Sequence, residues 1–242
     1  MKLKNRVALI TGASSGIGEG IAKKFLEEGA YVVGCGIETE SSIIHPNYVY
    51  LQGDITDLSS MENIVKLTKE KFGKLDSIVN SAGATFIGDL EQTFTEIFKK
   101  QFDINVTGTF NVCKAAIKEL KENKGTIVNI ASDLGIKPIP ERIAYCASKA
   151  AVIMLTKSIA IEYAPFVRAN CILPGLVETP MIKDRFDNSE NPQKLREEMA
   201  NLYVLKRMGT LEDMSNAAVF LTSEDSSFIT GSELPVCGGS QI

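Results

Sequence analysis

One stretch near the N-terminus decides the fold: residues 7–18 read VALITGASSGIG. The apolar run 7–10 predicts a short buried strand, and apolar residues at helical spacing over 18–28 predict a helix after it. The glycines between them permit a tight turn and close approach to a pyrophosphate, whose charge is attracted by free N–H groups at the helix start. The order is Gly-x-x-x-Gly-x-Gly, and no Lys-Ser or Lys-Thr follows as in a kinase-type phosphate loop. An ordinary glycine-rich turn is the alternative.

The same strand and helix alternation continues along the chain. We predict further strands at 31–33, 48–52, 77–80, 126–130, 168–173 and 233–236, and helices at 59–72, 96–120, 145–163 and 211–221. This order predicts an α/β fold, a doubly wound, Rossmann-like parallel sheet with helices on both faces. We expect one domain over 1–242. The polar segment 178–206 reads as irregular, and is interpreted as a substrate loop or lid, or as a surface excursion.

The composition excludes several classes of function. The net charge of −4 argues against a nucleic-acid surface, which needs clustered Lys and Arg. The five cysteines show no CxxC spacing, so we expect neither a disulfide framework nor a zinc site, and no other metal cluster is indicated. We find no signal-peptide core and no run approaching about 20 apolar residues, and therefore expect a cytoplasmic protein without a membrane partner.

A tyrosine and a lysine open the helix predicted at 145–163. Tyr145 and Lys149 are four residues apart, which places them on one helix face, about one turn along. A nearby ammonium would lower the pKa of the phenol and suit it to acid–base work. A surface lysine beside a half-buried tyrosine is the alternative. Ser132 follows the strand 126–130, at the edge where open α/β sheets bind ligands. The small residues at 80–83 leave room for a flat ligand.

With these motifs, the chain resembles the short-chain dehydrogenase/reductase family over almost its full length. Residues 11–18 resemble its cofactor turn, and 80–83 its Asn-Asn-Ala-Gly segment. Asn105, Ser132, Tyr145 and Lys149 match its catalytic tetrad. The resemblance implies that Tyr145 exchanges the proton with the substrate oxygen, that Ser132 hydrogen-bonds this oxygen, and that Lys149 binds the nicotinamide ribose and depresses the tyrosine pKa. Asn105 would support a water chain leading to Lys149.

The resemblance also implies a nicotinamide cofactor. Gly36 occupies the family's usual Asp position, no Arg or Lys follows it, and Glu38 could bond a ribose or repel a 2′-phosphate. We therefore favour NAD(H) over NADP(H), although Glu38 could be a solvated loop charge. Asp54 is expected at the adenine. The predicted cofactor contacts are Gly12, Ser14, Ser15, Gly16, Ile17, Gly18, Gly36, Ile37, Glu38, Asp54, Ile55, Asn80, Ala82, Gly83, Tyr145, Lys149, Pro174, Gly175, Val177 and Thr179.

Three departures from the family pattern leave the tetrad intact. Ser81 replaces the second Asn, Cys237 stands where Asp is common, and the short stretch before Asp54 suggests that one helix of the usual fold is missing. The resemblance thus predicts an oxidoreductase acting on a secondary alcohol or ketone, whether a sugar or polyol, a 3-oxoacyl thioester or a steroid-like molecule. The alternatives are a nucleotide-sugar epimerase or dehydratase, whose chains are usually longer and carry a C-terminal substrate domain, and a non-catalytic NAD(P) sensor, which often lacks the tyrosine or lysine. A homotetramer or homodimer is implied by resemblance only.

Overall fold

A single parallel sheet organises the part of the chain that the computed structural model describes, residues 1–240 without the side chains of residues 181, 184 and 185. Its strand order is β3-β2-β1-β4-β5-β6-β7, and every neighbouring pair is parallel. The strands are β1 (Val7–Thr11), β2 (Tyr31–Gly36), β3 (Tyr48–Gln52), β4 (Ser77–Asn80), β5 (Thr126–Ile130), β6 (Arg168–Pro174) and β7 (Glu233–Val236).

Helices cover both faces of this sheet. They are α1 (Gly16–Glu27), α2 (Leu58–Phe72), α3 (Thr95–Phe102), α4 (Gly108–Glu122), α5 (Ile143–Tyr163), α6 (Pro180–Asp187), α7 (Pro192–Asn201) and α8 (Leu211–Thr222). Helices α1 and α8 bury their apolar sides in one core, and α2, α4 and α5 bury theirs in a second core on the opposite face. The doubly wound, Rossmann-like fold that the sequence predicts is confirmed.

The winding reverses at β1, which lies between β2 and β4. In open α/β sheets such a reversal leaves a crevice beyond the carboxyl ends of the strands, and ligands bind there. The turns after β1, β4, β5 and β6 all lie at this edge, and so do the glycine turn, residues 80–83 and Ser132. The prediction that one helix of the usual fold is missing before Asp54 is also confirmed, because residues 37–47, all of them described, contain no helix.

Two predictions about local structure are wrong. The segment 178–206 is not irregular, because α6 and α7 occupy most of it. Each of these helices starts with a proline, and Asn191 caps α7 by accepting a hydrogen bond of 3.0 Å from the Lys194 N–H. The helix predicted at 96–120 is interrupted by one π-helical turn over Asp103–Thr107, which separates α3 from α4.

Helix α5 bears on the expectation that the chain has no membrane-spanning segment. Among the described helices it alone is long and apolar enough to cross a membrane, judged by length and composition only. Of the 18-residue stretch that meets this criterion, 44% is buried inside the protein. Its buried residues include Val152, Ile159 and Ala160, which pack with β5 and β6 residues. Core helices commonly satisfy the same criterion.

Candidate functional site

A cleft of about 1330 Å³ runs along the carboxyl edge of the sheet. Of the residues that the sequence predicts for the site, it is lined by Gly12, Ser14, Ser15, Gly16, Ile17, Gly18, Gly36, Ile37, Glu38, Asp54, Ile55, Ala82, Gly83, Ser132, Tyr145, Lys149, Pro174, Gly175, Val177 and Thr179. Asn80 and Asn105 lie behind this surface. The volume exceeds that of most single-ligand pockets and accommodates a dinucleotide with a small second molecule.

The turn after β1 has no room for side chains. A Cβ atom on Gly12, where φ is +66°, would lie 2.9 Å from the Cα and N atoms of Ala82, and one on Gly18 would lie 2.2 Å from the Gly12 oxygen. Ser15 precedes α1 in an extended conformation, and its side chain makes no capping hydrogen bond with the described residues. The first N–H groups of α1 are therefore left for a ligand, preferably an anion.

The side chain of Thr11 joins this turn to the one after β4. Its hydroxyl oxygen accepts hydrogen bonds of 3.2 Å from the backbone N–H groups of Ser81 and Ala82. Two neighbouring parallel strands are thereby fixed at the point where they leave the sheet. The close approach of Ala82 to Gly12 follows from this connection.

An acidic side chain lies over the end of β2. Glu38 accepts hydrogen bonds from the Ser14 hydroxyl at 2.9 Å and from the Tyr50 hydroxyl at 3.4 Å. A Cβ on Gly36 would lie 2.7 Å from Oε2 of Glu38, so this carboxylate occupies the space that a side chain at position 36 would fill. Burial and the Glu38 charge raise the pKa of Tyr50 to about 12. Tyr50 therefore acts as a hydrogen-bond donor to Glu38.

The side chain of one predicted cofactor contact faces away from the cleft. Asn80 is buried, with its amide donating a hydrogen bond of 2.8 Å to Asn129 on the neighbouring strand, so its side chain points into the protein. Asp54 does line the cleft, and one of its oxygens accepts hydrogen bonds of 2.8 Å from the backbone and hydroxyl of Thr56. Its second oxygen remains for a ligand.

Ser132 and Tyr145 meet at the other end of the cleft. Ser132 follows β5 in an extended conformation and accepts a hydrogen bond of 3.2 Å from the Leu134 N–H. Burial raises the pKa of Tyr145 to about 12, the nearby Ser132 hydroxyl opposes this rise, and the Asp133 charge adds to it. The phenol is consequently protonated at neutral pH.

The amine of Lys149 lies in the same region, although its predicted effect on the tyrosine pKa is not found. Its Nζ donates a hydrogen bond of 2.8 Å to the carbonyl oxygen of Ile130 and lies 5.6 Å from the centroid of the Tyr145 ring. Burial lowers the pKa of Lys149 to about 8. The expected lowering of the tyrosine pKa by this ammonium is therefore not observed, since loss of solvation dominates both groups.

Asn105 supports the cleft from behind. It lies in the π-helical turn, donates to the Ala84 oxygen at 3.1 Å and to the Ser148 hydroxyl at 3.0 Å, and accepts from the Ala84 N–H at 2.9 Å. A Cβ on Gly83 would lie 3.2 Å from Oδ1 of Asn105 and 3.7 Å from Nζ of Lys149. Asn105 thus fixes the backbone that separates it from the cleft.

The segment after α7 supports the side of the cleft that the Pro174–Gly175 turn forms. The hydroxyl oxygen of Tyr203 accepts a hydrogen bond of 2.7 Å from the Leu176 N–H, and its ring packs beneath Gly175. Ile182 of α6 also lines the cleft, whereas Phe186 is buried against the guanidinium of Arg196, 4.8 Å from the ring centroid. Helices α6 and α7 therefore pack against each other beside the cleft, close to the Pro174–Gly175 turn. No group of three or more His, Cys, Asp or Glu within the described residues could hold a metal.

Comparison with known proteins decides the family. The family model described as enoyl-(acyl carrier protein) reductase matches residues 12–241. The chain belongs to the short-chain dehydrogenase/reductase family. An uncharacterized oxidoreductase of Thermotoga maritima is 36% identical over 99% of each chain. L-fucose dehydrogenase of Oryctolagus cuniculus is 36% identical over 98% of this chain and 85% of that protein.

A solved structure supports the same assignment. Ligand-free aldohexose dehydrogenase of Thermoplasma acidophilum has a TM-score of 0.92 and 31% sequence identity, covering 98% of this chain and 94% of that one. This short-chain dehydrogenase/reductase chain is accordingly an oxidoreductase by family.

The sequence analysis missed two tyrosines, each of which is hydrogen-bonded to a residue that lines the cleft. Tyr50 has a detectable signal, because Tyr48 and Tyr50 alternate along β3 beside the alternating glycines of β2. Their hydroxyl oxygens lie over Gly34 and Gly36, 2.2 Å and 2.6 Å from where a Cβ would be. Tyr203 has no comparable signal, since its contact with Leu176 depends on how the α6–α7 segment folds back.

Proposed function

We propose that this chain is an NAD(H)-dependent dehydrogenase or reductase that transfers a hydride between the nicotinamide and a secondary alcohol or carbonyl carbon, with Tyr145 exchanging the proton. One observation carries the proposal: Ser132 and Tyr145 both line one end of a cleft whose other end is a glycine turn at a helix N-terminus.

The residues present fit a dinucleotide. The glycine turn after β1 and the uncapped start of α1 suit the pyrophosphate, because a Cβ at Gly12 or Gly18 would fill the space. Glu38 suits the adenosine ribose and Asp54 the adenine. Lys149, whose amine carries donors beyond the one given to Ile130, suits the nicotinamide ribose. The bound nicotinamide would supply the hydride acceptor or donor.

The chain's own groups would handle the proton and the substrate oxygen. The Tyr145 phenol, protonated at neutral pH, gives its proton to the oxygen when a carbonyl is reduced. The Ser132 hydroxyl donates a hydrogen bond to the same oxygen and holds it against Tyr145. Lys149, with a pKa near 8, is mostly protonated at neutral pH, and its positive charge would stabilise the negative charge that develops on the phenol and on the substrate oxygen during the reaction. Asn105 fixes the Gly83–Ala84 backbone beneath them.

The preference for NAD(H) rests on Glu38. Ser14 and Tyr50 hold its carboxylate over Gly36, where it would accept hydrogen bonds from ribose hydroxyls and repel the 2′-phosphate of NADP(H). A homodimer or homotetramer is also proposed. Its support is the set of exposed apolar side chains on α3, α4 and α5, namely Phe98, Phe110, Met154 and Ile161.

A screen of secondary alcohols and ketones with NAD(H) and NADP(H) in parallel tests the proposal. Sugars and diols come first, because relatives are named L-fucose dehydrogenase, aldohexose dehydrogenase and 2,5-dichloro-2,5-cyclohexadiene-1,4-diol dehydrogenase. Turnover that is faster with NAD(H) is the expected result. Tight NADH binding without turnover of any alcohol or carbonyl would contradict an enzymatic role and indicate a sensor.

A further inference from the structure

A buried carboxylate lies beside the proposed reacting oxygen and has no role in the proton transfer. Asp133 is 7% exposed and lines the cleft next to Ser132. Its Oδ1 accepts a hydrogen bond of 3.3 Å from the Ser132 hydroxyl, and its Oδ2 accepts one of 2.5 Å from the Ser240 hydroxyl. Among the described residues, no cation forms an ion pair with it within 4.0 Å. Buried charged groups are normally paired, so we infer that a hydrogen-bond donor on a ligand would bind at this carboxylate.

Hydrogen-bond accounting identifies the kind of ligand. A serine hydroxyl has one proton, and in this structure the Ser132 proton points to Asp133. When Ser132 turns that proton to a substrate oxygen, Oδ1 of Asp133 loses its donor. A buried acceptor left without a donor is destabilising, because no solvent replaces the lost hydrogen bond. A substrate that brings its own donor to this position avoids the cost.

The spacing fits a hydroxyl on the neighbouring carbon. The oxygens of a gauche vicinal diol lie about one hydrogen-bond length apart, similar to the 3.3 Å between Oγ of Ser132 and Oδ1 of Asp133. One oxygen of the diol can therefore face Ser132 and Tyr145 while the adjacent hydroxyl donates to Asp133. We propose that Asp133 selects substrates carrying a hydroxyl on the carbon next to the reacting carbon. This inference rests on the proposed function.

The same position disfavours other substrates of the family. A 3-oxoacyl thioester has a methylene on the carbon next to the reacting one and brings no donor there, and its second carbonyl, one carbon further, is only an acceptor. Placed beside a carboxylate it meets repulsion and leaves Asp133 without a donor, which is a means of discrimination. The C-terminal segment occupies the far side of Asp133. There the Lys137 amine donates a hydrogen bond of 2.8 Å to the backbone oxygen of Ser240, whose hydroxyl donates to Asp133.

Matched substrate pairs test this role. We would measure kcat/KM with NAD for glucose and 2-deoxyglucose, fucose and 2-deoxyfucose, and cyclohexane-1,2-diol and cyclohexanol. The wild type should favour the hydroxylated member. Asp133→Ala should lower that preference about 10- to 100-fold, the effect of a hydrogen bond to a charged group, while changing the deoxy substrates little. Asp133→Asn keeps the volume and should show a smaller loss, together with improved reduction of an acetoacetyl thioester.

Ser240→Ala is the control for a purely structural role. It removes the tail's hydrogen bond to Asp133 and should affect both members of each pair alike, and NADH affinity checks that each variant is folded. Equal losses on both members in Asp133→Ala, or an unchanged preference, would overturn the role of Asp133 alone. Absence of turnover for every alcohol in the wild type would overturn the proposed function and this inference with it.

Discussion

The amine of Lys149 lies over the ring of Tyr145, with Nζ 5.6 Å from the ring centroid, and donates its hydrogen bond to the Ile130 oxygen. The two side chains are therefore neighbours on one face of α5, as their four-residue spacing predicts. Their pKa values move in opposite directions, because burial raises the pKa of Tyr145 to about 12 and lowers that of Lys149 to about 8. The free protein thus holds a neutral phenol beside an amine that is only partly charged near pH 8.

The raised tyrosine pKa predicts opposite pH dependences for the two directions of reaction. Alcohol oxidation requires the phenolate, so its kcat/KM should rise up to about tenfold per pH unit between about pH 7 and about pH 10. Carbonyl reduction requires the phenol and should not gain over that range. Initial rates in both directions across this range provide the check. Oxidation that stays flat throughout would mean that Tyr145 does not limit proton transfer in this way.

The lowered lysine pKa predicts a stability effect of defined sign. Between the folded value of about 8 and the unfolded value of 10.5, the unfolded chain binds more protons, so stability rises with pH. The Lys149 contribution should reach at most about 3 kcal/mol across that window. Urea unfolding of cofactor-free wild type and Lys149→Met at several pH values isolates it, because the buried Tyr and Cys groups titrate in both. The free energy of unfolding of the wild type minus that of Lys149→Met should rise with pH. A value that stays constant would contradict burial of the amine.

The turn at Gly12 should not tolerate a side chain. Gly12→Ala combines a left-handed backbone with a Cβ 2.9 Å from the backbone of Ala82, and should lose both stability and NADH affinity. Gly73→Ala is the control, because φ is +81° there but nothing lies within 4 Å of the added Cβ. It should lose about 1 kcal/mol of stability and keep NADH affinity. NADH titration and thermal unfolding of both variants separate the two effects, and equal NADH affinity would argue against close contact at the turn.

The cofactor preference should depend on Glu38. Glu38→Gln removes the charge held by Ser14 and Tyr50 over Gly36, and should lower the NAD-to-NADP ratio of kcat/KM by about tenfold. Glu40→Gln makes the same charge change on an exposed residue of the same loop and should leave the ratio nearly unaltered. If both substitutions shift the ratio alike, general loop charge rather than the position of Glu38 sets the preference.

Much of the fold could be predicted from the sequence because its signals are local. The apolar runs of β3, β4, β5 and β7 are bounded by turn residues, and their predicted limits agree with the structure. The prolines at 180 and 192 and the Asn191 cap were usable signals for α6 and α7, but the polar composition of 178–206 outweighed them. The π-helical turn had no signal, since it accompanies contacts of Asn105 with Ala84 and Ser148 from elsewhere in the chain.

The candidate site divides in the same way. Motif spacing predicted which residues surround the cleft, because glycine turns and a four-residue helical spacing are properties of short segments. It did not predict that the Lys149 amine bonds Ile130, nor that Asn80 faces Asn129. Those contacts depend on which partners the tertiary packing brings near. Burial raises the pKa of Tyr145, whereas the spacing of Tyr145 and Lys149 alone predicted that it would be lowered.

Proton exchange by Tyr145 is tested most directly by comparing Tyr145→Phe with Tyr163→Phe, the same substitution at the other end of α5. On the substrate that the wild type turns over best, Tyr145→Phe should lower kcat/KM by a factor of about 100 to 10,000 with NADH affinity unchanged. Tyr163→Phe should stay close to the wild type. Retention of near wild-type turnover by Tyr145→Phe would contradict the account.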